Sequence, residues 1–323
     1  MRFSSRPIAT PLRKIMALCA SAALTASVFA QTITIGLSGD ITAFDPHYHN
    51  VGPNNAAAAH VFDHLVNMDE RQRLVPGLAL SWKAIDDLNW EFKLRKGVKW
   101  HDGADFTADD VVFTLDRVPK VPNSPSSFST YVKNIKSIKA VDSHTLVMTT
   151  EKPHPLLPND LATVYVISKK AATGASTDDF NTGKAAIGTG PYKFSRFAKG
   201  DRLELVRNDA WWGGKTPWEK ATLRILTNDP ARVAALLAGD IQVIENAPTS
   251  DISRLKSDKN LSIARVGSNR LIYLHMDSNR DVAPFITDKA GKPLAKNPLK
   301  DARVRKAISL AINRDAIVGK VME

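Results

Sequence analysis

Histidines and carboxylates are the side chains in this sequence whose spacing could support chemistry. His60 and His64 are four residues apart in a segment predicted to be helical, so both rings would project from one face and could share a metal ion. His47 and His49 lie nearby, but no third ligand stands at a useful spacing. Surface or interface histidines are the alternative interpretation, and we predict no metal site.

The sequence lacks the short motifs of common enzyme classes. There is no G-x-S-x-G, no H-E-x-x-H and no Gly-rich phosphate loop. Gly188-Thr189-Gly190 lacks a third glycine, and Pro191 after it does not suit the helix that begins at a dinucleotide site. We predict no catalytic residue and no cofactor. Carboxylates are as plentiful as in any soluble protein, so a secreted hydrolase remains an alternative.

Binding residues are predicted in loops instead. In an α/β protein, ligands collect where loops leave the carboxyl ends of strands and at domain boundaries. That rule selects the loop after the first strand, the segment after a strand at 241–244, and a passage near residue 270. The residues selected are His49, Asn50, Val51 and Gly52; Glu245 and Asn246; and Asn269, Arg270, Tyr273 and His275. A solvated loop is the alternative for each.

The elements that would position these loops alternate between strands and helices, without a repeat of 20–50 residues, which indicates an α/β fold. Hydrophobic alternation and turn residues predict the strands. They are Thr32–Leu37, a strand with Trp90, Phe92 and Leu94 on one face, its partner Val98–Trp100, strands around Leu203–Leu205 and Leu223–Ile225, Ile241–Ile244, and Leu271–Met276.

Capping residues predict the helices. One helix would run from Ala56 to about Asn67, capped by Asn54 or Asn55. The others are a helix after a Thr107–Asp110 capping box, with Val111, Val112, Leu115 and Val118 on its apolar face; a helix capped by Asp229, with Pro230 first and Gly239 past its end; and a helix capped by Asp301, with Val304, Ala307, Ile308 and Ala311 on one face.

Residues 1–30 have the pattern of a removable export signal. Arg2, Arg6, Arg13 and Lys14 precede an apolar stretch from Ile15 to Val28 that is short for a membrane span. Val28 and Ala30 are small residues at the −3 and −1 positions, which predicts cleavage after Ala30 and a periplasmic protein beginning at Gln31. A retained membrane anchor is the alternative.

Removal of this signal would also remove Cys19, the only cysteine, and leave no thiol for a disulfide or a metal site. Because the signal holds four basic and no acidic residues, the formal charge would fall from +11 to +7. The basic residues of the remaining chain are scattered among carboxylates, which favours a solvated surface over nucleic-acid binding.

Four sequence blocks resemble the family 5 solute-binding proteins of ABC importers. They are IGLSGDITAFDPHYHN; LVPGLALSWKAIDDLNWEFKLRKGVKWHDGADFTADDVVFTLDRV at residues 74–118; GTGPYKFSRFAKGDRLELVRNDAWWGG followed by PARVAALLAGDIQVI; and DARVRKAISLAINRDAIVGKV. The blocks stand in the order of the family. The insertion ITDKAGKPLAKNPLK departs from the family pattern, and its composition suggests a surface loop.

The resemblance implies a type II periplasmic-binding-protein fold of two lobes. Residues 31–50 and 186–267 would form the sheet domain of the first lobe, 51–185 an added subdomain, and 268–323 the start of a second lobe that is incomplete in this chain. Such a protein binds peptides or similar solutes without altering them and delivers them to the permease of an ABC importer. A nickel or metallophore carrier of the same family, or a truncated, non-functional product, are the alternatives.

The resemblance also implies sites and properties. Asn50–Gly52 match positions where peptide-binding relatives touch the solute, Glu245 and Asn246 fall near another contact, and Phe128 falls near the lining of the peptide pocket. The chain would be a monomer that binds a small molecule or peptide but no nucleic acid. With an incomplete second lobe, we expect weak or no solute affinity, because closure of the lobes needs contacts from both.

Overall fold

The computed structural model describes residues 31–267 and 272–322. Its strands are β1 (Thr32–Leu37), β2 (Val66–Met68), β3 (Leu74–Pro76), β4 (Ala79–Ala84), β5 (Asn89–Leu94), β6 (Ile135–Asp142), β7 (Thr145–Thr150), β8 (Tyr192–Ala198), β9 (Arg202–Arg207), β10 (Lys220–Ile225) and β11 (Val243–Ile244). Groups of consecutive strands alternate with groups of helices along the described chain, so the predicted mixed α/β class is confirmed. The predicted export signal lies outside the described residues.

The helices are short. They are α1 (Gly52–Ala58), α2 (Ala108–Arg117), α3 (Ser129–Val132), α4 (Leu157–Leu161), α5 (Lys169–Ala172), α6 (Thr177–Asn181), α7 (Asp229–Leu237), α8 (Ile252–Ser257), α9 (Ala302–Ala311) and α10 (Arg314–Ile317). Short 3₁₀ segments occupy Val118–Lys120, Thr249–Asp251 and Pro298–Lys300, and a π-helical turn occupies Val318–Met322. None of the helices in the described part of the chain is long and apolar enough to cross a membrane.

The first sheet has five strands in the order β11-β1-β10-β9-β8. Strand β1 is parallel to β10 on one side and to β11 on the other, and Gly36 lies opposite both Arg224 and Ile244. Strands β10, β9 and β8 continue as an antiparallel meander. The carboxyl ends of β10, β1 and β11 therefore meet at one edge, and this edge positions the candidate site.

The second sheet is antiparallel throughout, in the order β4-β5-β7-β6, and a separate hairpin pairs β2 with β3. Phe92 and Leu94 of β5 and Leu146 and Met148 of β7 are buried on one face, where helix α2 packs through Val111 and other apolar residues. The opposite face is polar and carries the Lys83–Glu91–Lys93 ion pairs. This alternation explains why the sequence of β5 reads apolar and charged in turn.

The first sheet has its own apolar core. Leu37, Leu203, Leu205 and Leu223 pack with buried aromatic residues such as Phe62. Residues 31–50 and 186–267 contribute strands to this core, and residues between 79 and 150 form the second sheet. The boundaries predicted between a sheet domain, a subdomain and a second lobe are not tested by these observations and stay predictions.

Residues 272–322 add little to either core. The stretch 272–297 contains neither helix nor strand, and most of its large apolar side chains are exposed. Phe285 is 93% exposed, whereas Ala283 is buried and Met276, Ile286 and Leu294 are half-buried.

Helix α9 begins as predicted, with the Asp301 side chain accepting a hydrogen bond from the Arg303 N–H at 2.8 Å. None of its residues is buried. On the predicted apolar face, Val304 and Ile308 are half-buried, and Ala307 and Ala311 are exposed.

Three predicted elements are wrong. The helix predicted over 56–67 is α1, which begins at Gly52 behind Val51 and ends at Ala58, and residues 66–68 form a strand instead. Val98–Trp100 is not a strand, because β5 pairs with β4 and β7 and leaves this segment only an isolated bridge at Lys99. In the predicted strand 271–276, the described residues 272–276 are irregular and Leu271 lies outside the described residues.

One smaller prediction also changes. Asn228, not Asp229, caps α7, since its side chain accepts a hydrogen bond from the Ala231 N–H at 3.0 Å.

Glycines serve two different purposes in the fold. Gly97 and Gly103 have positive φ angles of 75° and 85° and serve turns. Gly188 and Gly190 allow close packing, because a Cβ atom on Gly188 would lie 1.7 Å from the carbonyl oxygen of Val61.

Candidate functional site

The candidate site lies at the carboxyl edge of the three parallel strands. The loops that leave β10, β1 and β11 begin at Leu226, Ser38 and Glu245. Two contacts hold the last two loops together: the Glu245 N–H donates to the carbonyl oxygen of Gly36 at 2.9 Å, and the Asn246 Nδ2–H donates to the Ser38 hydroxyl at 2.7 Å. The structure thus brings Glu245 and Asn246 to the loop that carries the first group of predicted residues.

The turn at Glu245–Asn246 has an unusual backbone. Asn246 adopts a left-handed conformation with φ of 50°, which asparagine tolerates better than most residues because its short side chain can hydrogen-bond locally. Its carbonyl oxygen accepts a hydrogen bond from the Arg232 Nη2–H at 3.0 Å. The Asn246 side chain is exposed at the edge, and Glu245 is partly buried beside it.

The loop after β1 carries His49, Asn50, Val51 and Gly52 as predicted, and it is tied to the second sheet region. The Asn50 N–H donates to Ser126 O at 2.9 Å, and its side-chain amide donates to the Tyr131 hydroxyl at 3.2 Å. The His49 ring lies 2.9 Å from the Thr42 hydroxyl. Val51 is the residue before helix α1, and Gly52 is exposed at its first turn.

A buried ionic cluster supports this loop from inside. Arg117 donates two hydrogen bonds to Asp45, at 3.0 Å and 2.6 Å, and its Nη1–H also donates to His47 Nδ1 at 3.1 Å. Thr177 donates its hydroxyl hydrogen to Asp45 at 2.9 Å. Because Asp45 belongs to the β1 loop and Arg117 to α2, this cluster joins the two sheet regions a few residues before His49 and Asn50 in the same loop.

Phe128 lies in the interior. Its side chain is fully buried, with its ring centroid 6.4 Å from that of His47 and 6.3 Å from that of Tyr131. In this structure Phe128 supports the 47–50 segment from below and presents no surface to a solute.

Among the described residues, Tyr273 and His275 are not part of the strand-edge loops. Asn269 and Arg270 lie outside the described residues. Tyr273 is 68% exposed, and its ring centroid is 6.1 Å from that of His275. A shallow depression of about 370 Å³ is lined by His275, Asp277, Asn279 and Arg280, none of which belongs to the strand-edge loops.

The histidine pair considered for a metal is separated by the fold. Helix α1 ends at Ala58, so His60 and His64 do not share a helical face. The His60 Nδ1–H donates to Ala56 O at 2.8 Å, while His64 stacks on Tyr165 with ring centroids 3.9 Å apart. Within residues 31–267 and 272–322, no cluster of three or more His, Cys, Asp or Glu residues could hold a metal ion.

Three residues at or near the edge were missed by sequence reasoning: Ser38, Tyr131 and Arg232. Arg232 follows the helix-capping signal of α7, where an arginine looks like an ordinary exposed residue, yet it is 1% exposed. The signal that could have revealed it is Gly36, a glycine in the middle of an apolar strand, which indicates that something approaches the backbone closely.

Comparison with known proteins agrees with this architecture. The family model described as "Bacterial extracellular solute-binding proteins, family 5 Middle" matches residues 73–323. The dipeptide-binding protein of Escherichia coli (strain K12) is 28% identical over 92% of this chain and 57% of its own length. Di/tripeptide-binding protein 1 of Pseudomonas aeruginosa (strain UCBPP-PA14) is 30% identical over 96% of this chain and 60% of its own length.

Solved structures give the same result. The oligopeptide-binding protein AppA of Bacillus subtilis, in complex with a nonapeptide, superposes with a TM-score of 0.75 at 26% identity over 90% of this chain and 55% of that one. NikZ of Campylobacter jejuni, in complex with Ni(L-His), gives 0.73 at 27% identity over 91% and 55%. The fold is that of type II periplasmic binding proteins, and the chain spans about half the length of these relatives.

Proposed function

Because the chain belongs to the bacterial extracellular solute-binding proteins of family 5, we propose that it serves to capture peptides for an ABC importer and alters no bond in them. The observation that supports this proposal is the strand edge, where the Glu245–Asn246 turn contacts Gly36 and Ser38 at the start of the loop that later carries residues 49–52. This edge belongs to a fold that superposes on AppA with its nonapeptide bound. Dipeptides and oligopeptides are the proposed solutes.

Recognition at this edge would run through polar groups. The Asn50 and Val51 N–H groups already donate to Ser126 O and His49 O at 2.9 Å. The 50–52 segment supplies the Asn50 side-chain amide and the exposed backbone of Gly52, and Asn246 supplies another exposed amide. Such groups suit the repeating donors and acceptors of an extended peptide main chain and place few demands on its side chains. His49, Glu245, Tyr273, His275, Asn269 and Arg270 remain predictions for further contacts. Phe128, which is fully buried in this structure, would act only through the 47–50 segment that it supports.

A second candidate solute comes from the NikZ comparison. That protein is solved with Ni(L-His) and resembles this chain as closely as AppA does in fold. A small metal chelate would use the same edge, and the metal would be cargo. The peptide proposal is preferred because both curated relatives named above are peptide-binding proteins.

The proposed mechanism is closure of two lobes over the solute, followed by recognition of the closed form by a permease at the periplasmic face of the inner membrane. To move such an equilibrium from 1:99 to 99:1, a ligand needs a preference of about 5.5 kcal/mol for the closed state. The chain spans about half the length of the relatives in which such closure would be compared. We propose that, acting as a monomer, it binds a peptide with an affinity weaker than micromolar.

Thermal unfolding with trialanine tests the function. At ten times a millimolar Kd, binding to the folded state adds about 1.4 kcal/mol to the free energy of unfolding. We expect a Tm increase of about 3 °C, with trialanine unchanged by mass spectrometry. The E. coli dipeptide-binding protein is the positive control. Hydrolysis of the peptide would favour the hydrolase alternative. An increase in Tm with Ni(L-His) but not with trialanine would favour the metal chelate as the solute.

A further inference from the structure

Arg232 is a buried cation at the centre of the strand edge. Its side chain is 1% exposed, although it stands on helix α7 near the surface. Its Nη1–H donates to the carbonyl oxygen of Leu226 at 2.7 Å, and its Nη2–H groups donate to Asn246 O at 3.0 Å and to Asp229 Oδ1 at 2.6 Å. One guanidinium thus connects the loop after β10, the loop after β11 and the first turn of α7.

The third strand of the edge accommodates the same side chain. A Cβ atom added to Gly36, in the middle of β1, would lie 3.3 Å from Arg232 Cγ and 2.7 Å from Ile241 Cδ1. Gly36 therefore leaves room for the aliphatic part of Arg232 beneath β1. The chain beyond Gly36 reaches Ser38, whose hydroxyl accepts the hydrogen bond from Asn246.

We propose that Arg232 is a positioning residue for solute binding, which fixes the Glu245–Asn246 turn at the edge without touching the solute. The role in binding rests on the proposed function. Arg232 accounts for two features of the turn: the left-handed backbone at Asn246, whose carbonyl oxygen it binds, and the direction of the Asn246 amide toward Ser38. Without the guanidinium, the turn would lose the only donor to the Asn246 carbonyl oxygen that the described residues provide.

Arginine suits this position for a geometric reason. Its planar fork presents several N–H donors at once, so it can satisfy two carbonyl oxygens and a carboxylate that lie in different directions. A lysine would carry the same charge to Asp229 but would place a single ammonium where three acceptors are spread. In Arg232→Lys we therefore expect the turn to keep only part of the hydrogen bonding that holds it in the wild type.

Amide hydrogen exchange measures the positioning role directly. In Arg232→Met we expect the Glu245 and Leu226 amides, which donate to Gly36 O and Leu37 O at 2.9 Å, to exchange at least tenfold faster than in the wild type. The Leu94 amide of the second sheet, which donates to His144 O at 2.8 Å, should be unchanged. Arg254→Met is the matched control, because that arginine is 61% exposed and pairs only loosely with Asp251, at 3.8 Å.

Trialanine affinity, followed by NMR on the same samples, completes the test. We expect the Kd of Arg232→Met to be at least tenfold higher than that of the wild type, and that of Arg254→Met to be unchanged. If Arg232→Met does not fold, Arg232→Lys replaces it. We then expect smaller increases in the exchange rate of the Glu245 amide and in the Kd for trialanine. Exchange that accelerates equally in both sheets, or does not change at Glu245, would overturn the positioning role.

The exchange and affinity measurements together distinguish this proposal from the proposed function. Local acceleration at Glu245 without any trialanine binding by the wild type supports the positioning of the turn and counts against peptide capture. Equal trialanine binding by the wild type and Arg232→Met supports peptide capture and shows that the positioning proposal is wrong.

Discussion

Single side chains decide how the two sheet regions are joined, and the Asp45–His47–Arg117 cluster is the main example. Arg117 can only donate and Tyr165 O can only accept, so His47 must carry its hydrogen on Nε2, which lies 2.7 Å from Tyr165 O. Burial by itself raises the pKa of Asp45, but the Arg117 hydrogen bond and charge outweigh it and hold this pKa below its usual value. The cluster is thus an ion pair with a neutral histidine.

Arg117→Met should destabilise the protein strongly. Arg117 and Asp45 are 11% and 0% exposed, and removing one partner of a buried pair leaves an uncompensated charge that costs about 3–5 kcal/mol. Urea unfolding measures the change in the free energy of unfolding. Lys120→Met is the control, because it breaks the exposed Lys120–Asp116 pair next to Arg117 in the sequence. It should change the free energy of unfolding by less than about 1 kcal/mol. Equal effects of the two variants would contradict the account.

The buried histidines predict a loss of stability in mild acid. Burial lowers the pKa of His47, His64 and His101 to about 4 in the folded protein, from 6.5. The unfolded chain therefore binds more protons than the folded one between these values, and stability falls as the pH drops from 6.5 toward 4. The contribution is at most about 3 kcal/mol per histidine.

Two carboxyl groups act in the opposite sense. Burial raises the pKa of Asp63 and of Asp110, which adds stability as the pH falls. Burial also lowers the pKa of His60. Because four histidines oppose two carboxyl groups among the described residues, we expect the urea midpoint to decrease between pH 7 and pH 4.5. A midpoint that is constant or rises over this range would show that the histidines are not held neutral.

At the scale of elements, residues 188–190 can pack against the backbone of Val61 because Gly188 has no side chain. Gly188→Ala would place a methyl group 1.7 Å from the Val61 carbonyl oxygen, and such overpacking costs about 3 kcal/mol. Gly52→Ala is the control, because a Cβ atom there meets nothing within 4 Å and should stabilise by about 0.5 kcal/mol. Calorimetric melting of both variants checks this; a Gly188→Ala protein as stable as the wild type would contradict it.

Elements with strong local signals were predictable from sequence. The alternation in β5 and the Thr107–Asp110 pairing, where the Thr107 N–H donates to Asp110 at 2.9 Å, predicted those elements correctly. The errors arose where contacts between residues far apart in the sequence override the local signals for a helix or a strand. Asn54 looked like a helix cap, but its side chain instead binds Thr42 and Ala43 in the β1 loop. Val98–Trp100 looked like a strand, but its place beside β5 is taken by β4 and β7.

The site was predictable only in outline. The rule that ligands collect at the carboxyl ends of strands selected Glu245 and Asn246 before their contacts with Gly36 and Ser38 were visible. The role of Arg232 was not predictable, because its hydrogen bonds join residues up to fourteen positions apart through a sheet order that local patterns do not encode.

At the scale of the whole molecule, export and solute capture are the two properties to test. Expressed in a Gram-negative host, the protein should be recovered from the periplasm with Gln31 at its N-terminus, as N-terminal sequencing will show. Ala30→Leu should block cleavage, because the −1 position needs a small residue, whereas Phe29→Leu at the −2 position should not. Recovery of the uncleaved chain from the wild type would contradict the export prediction.

The most direct test of the central claim is an NMR titration of the isotope-labelled protein with trialanine. The account predicts saturable shifts of the Asn50, Val51 and Asn246 amides with one common Kd above the micromolar range, while the peptide signals show no new product. Shifts confined to other residues, or conversion of the peptide, would contradict the claim that this strand edge holds peptides without altering them.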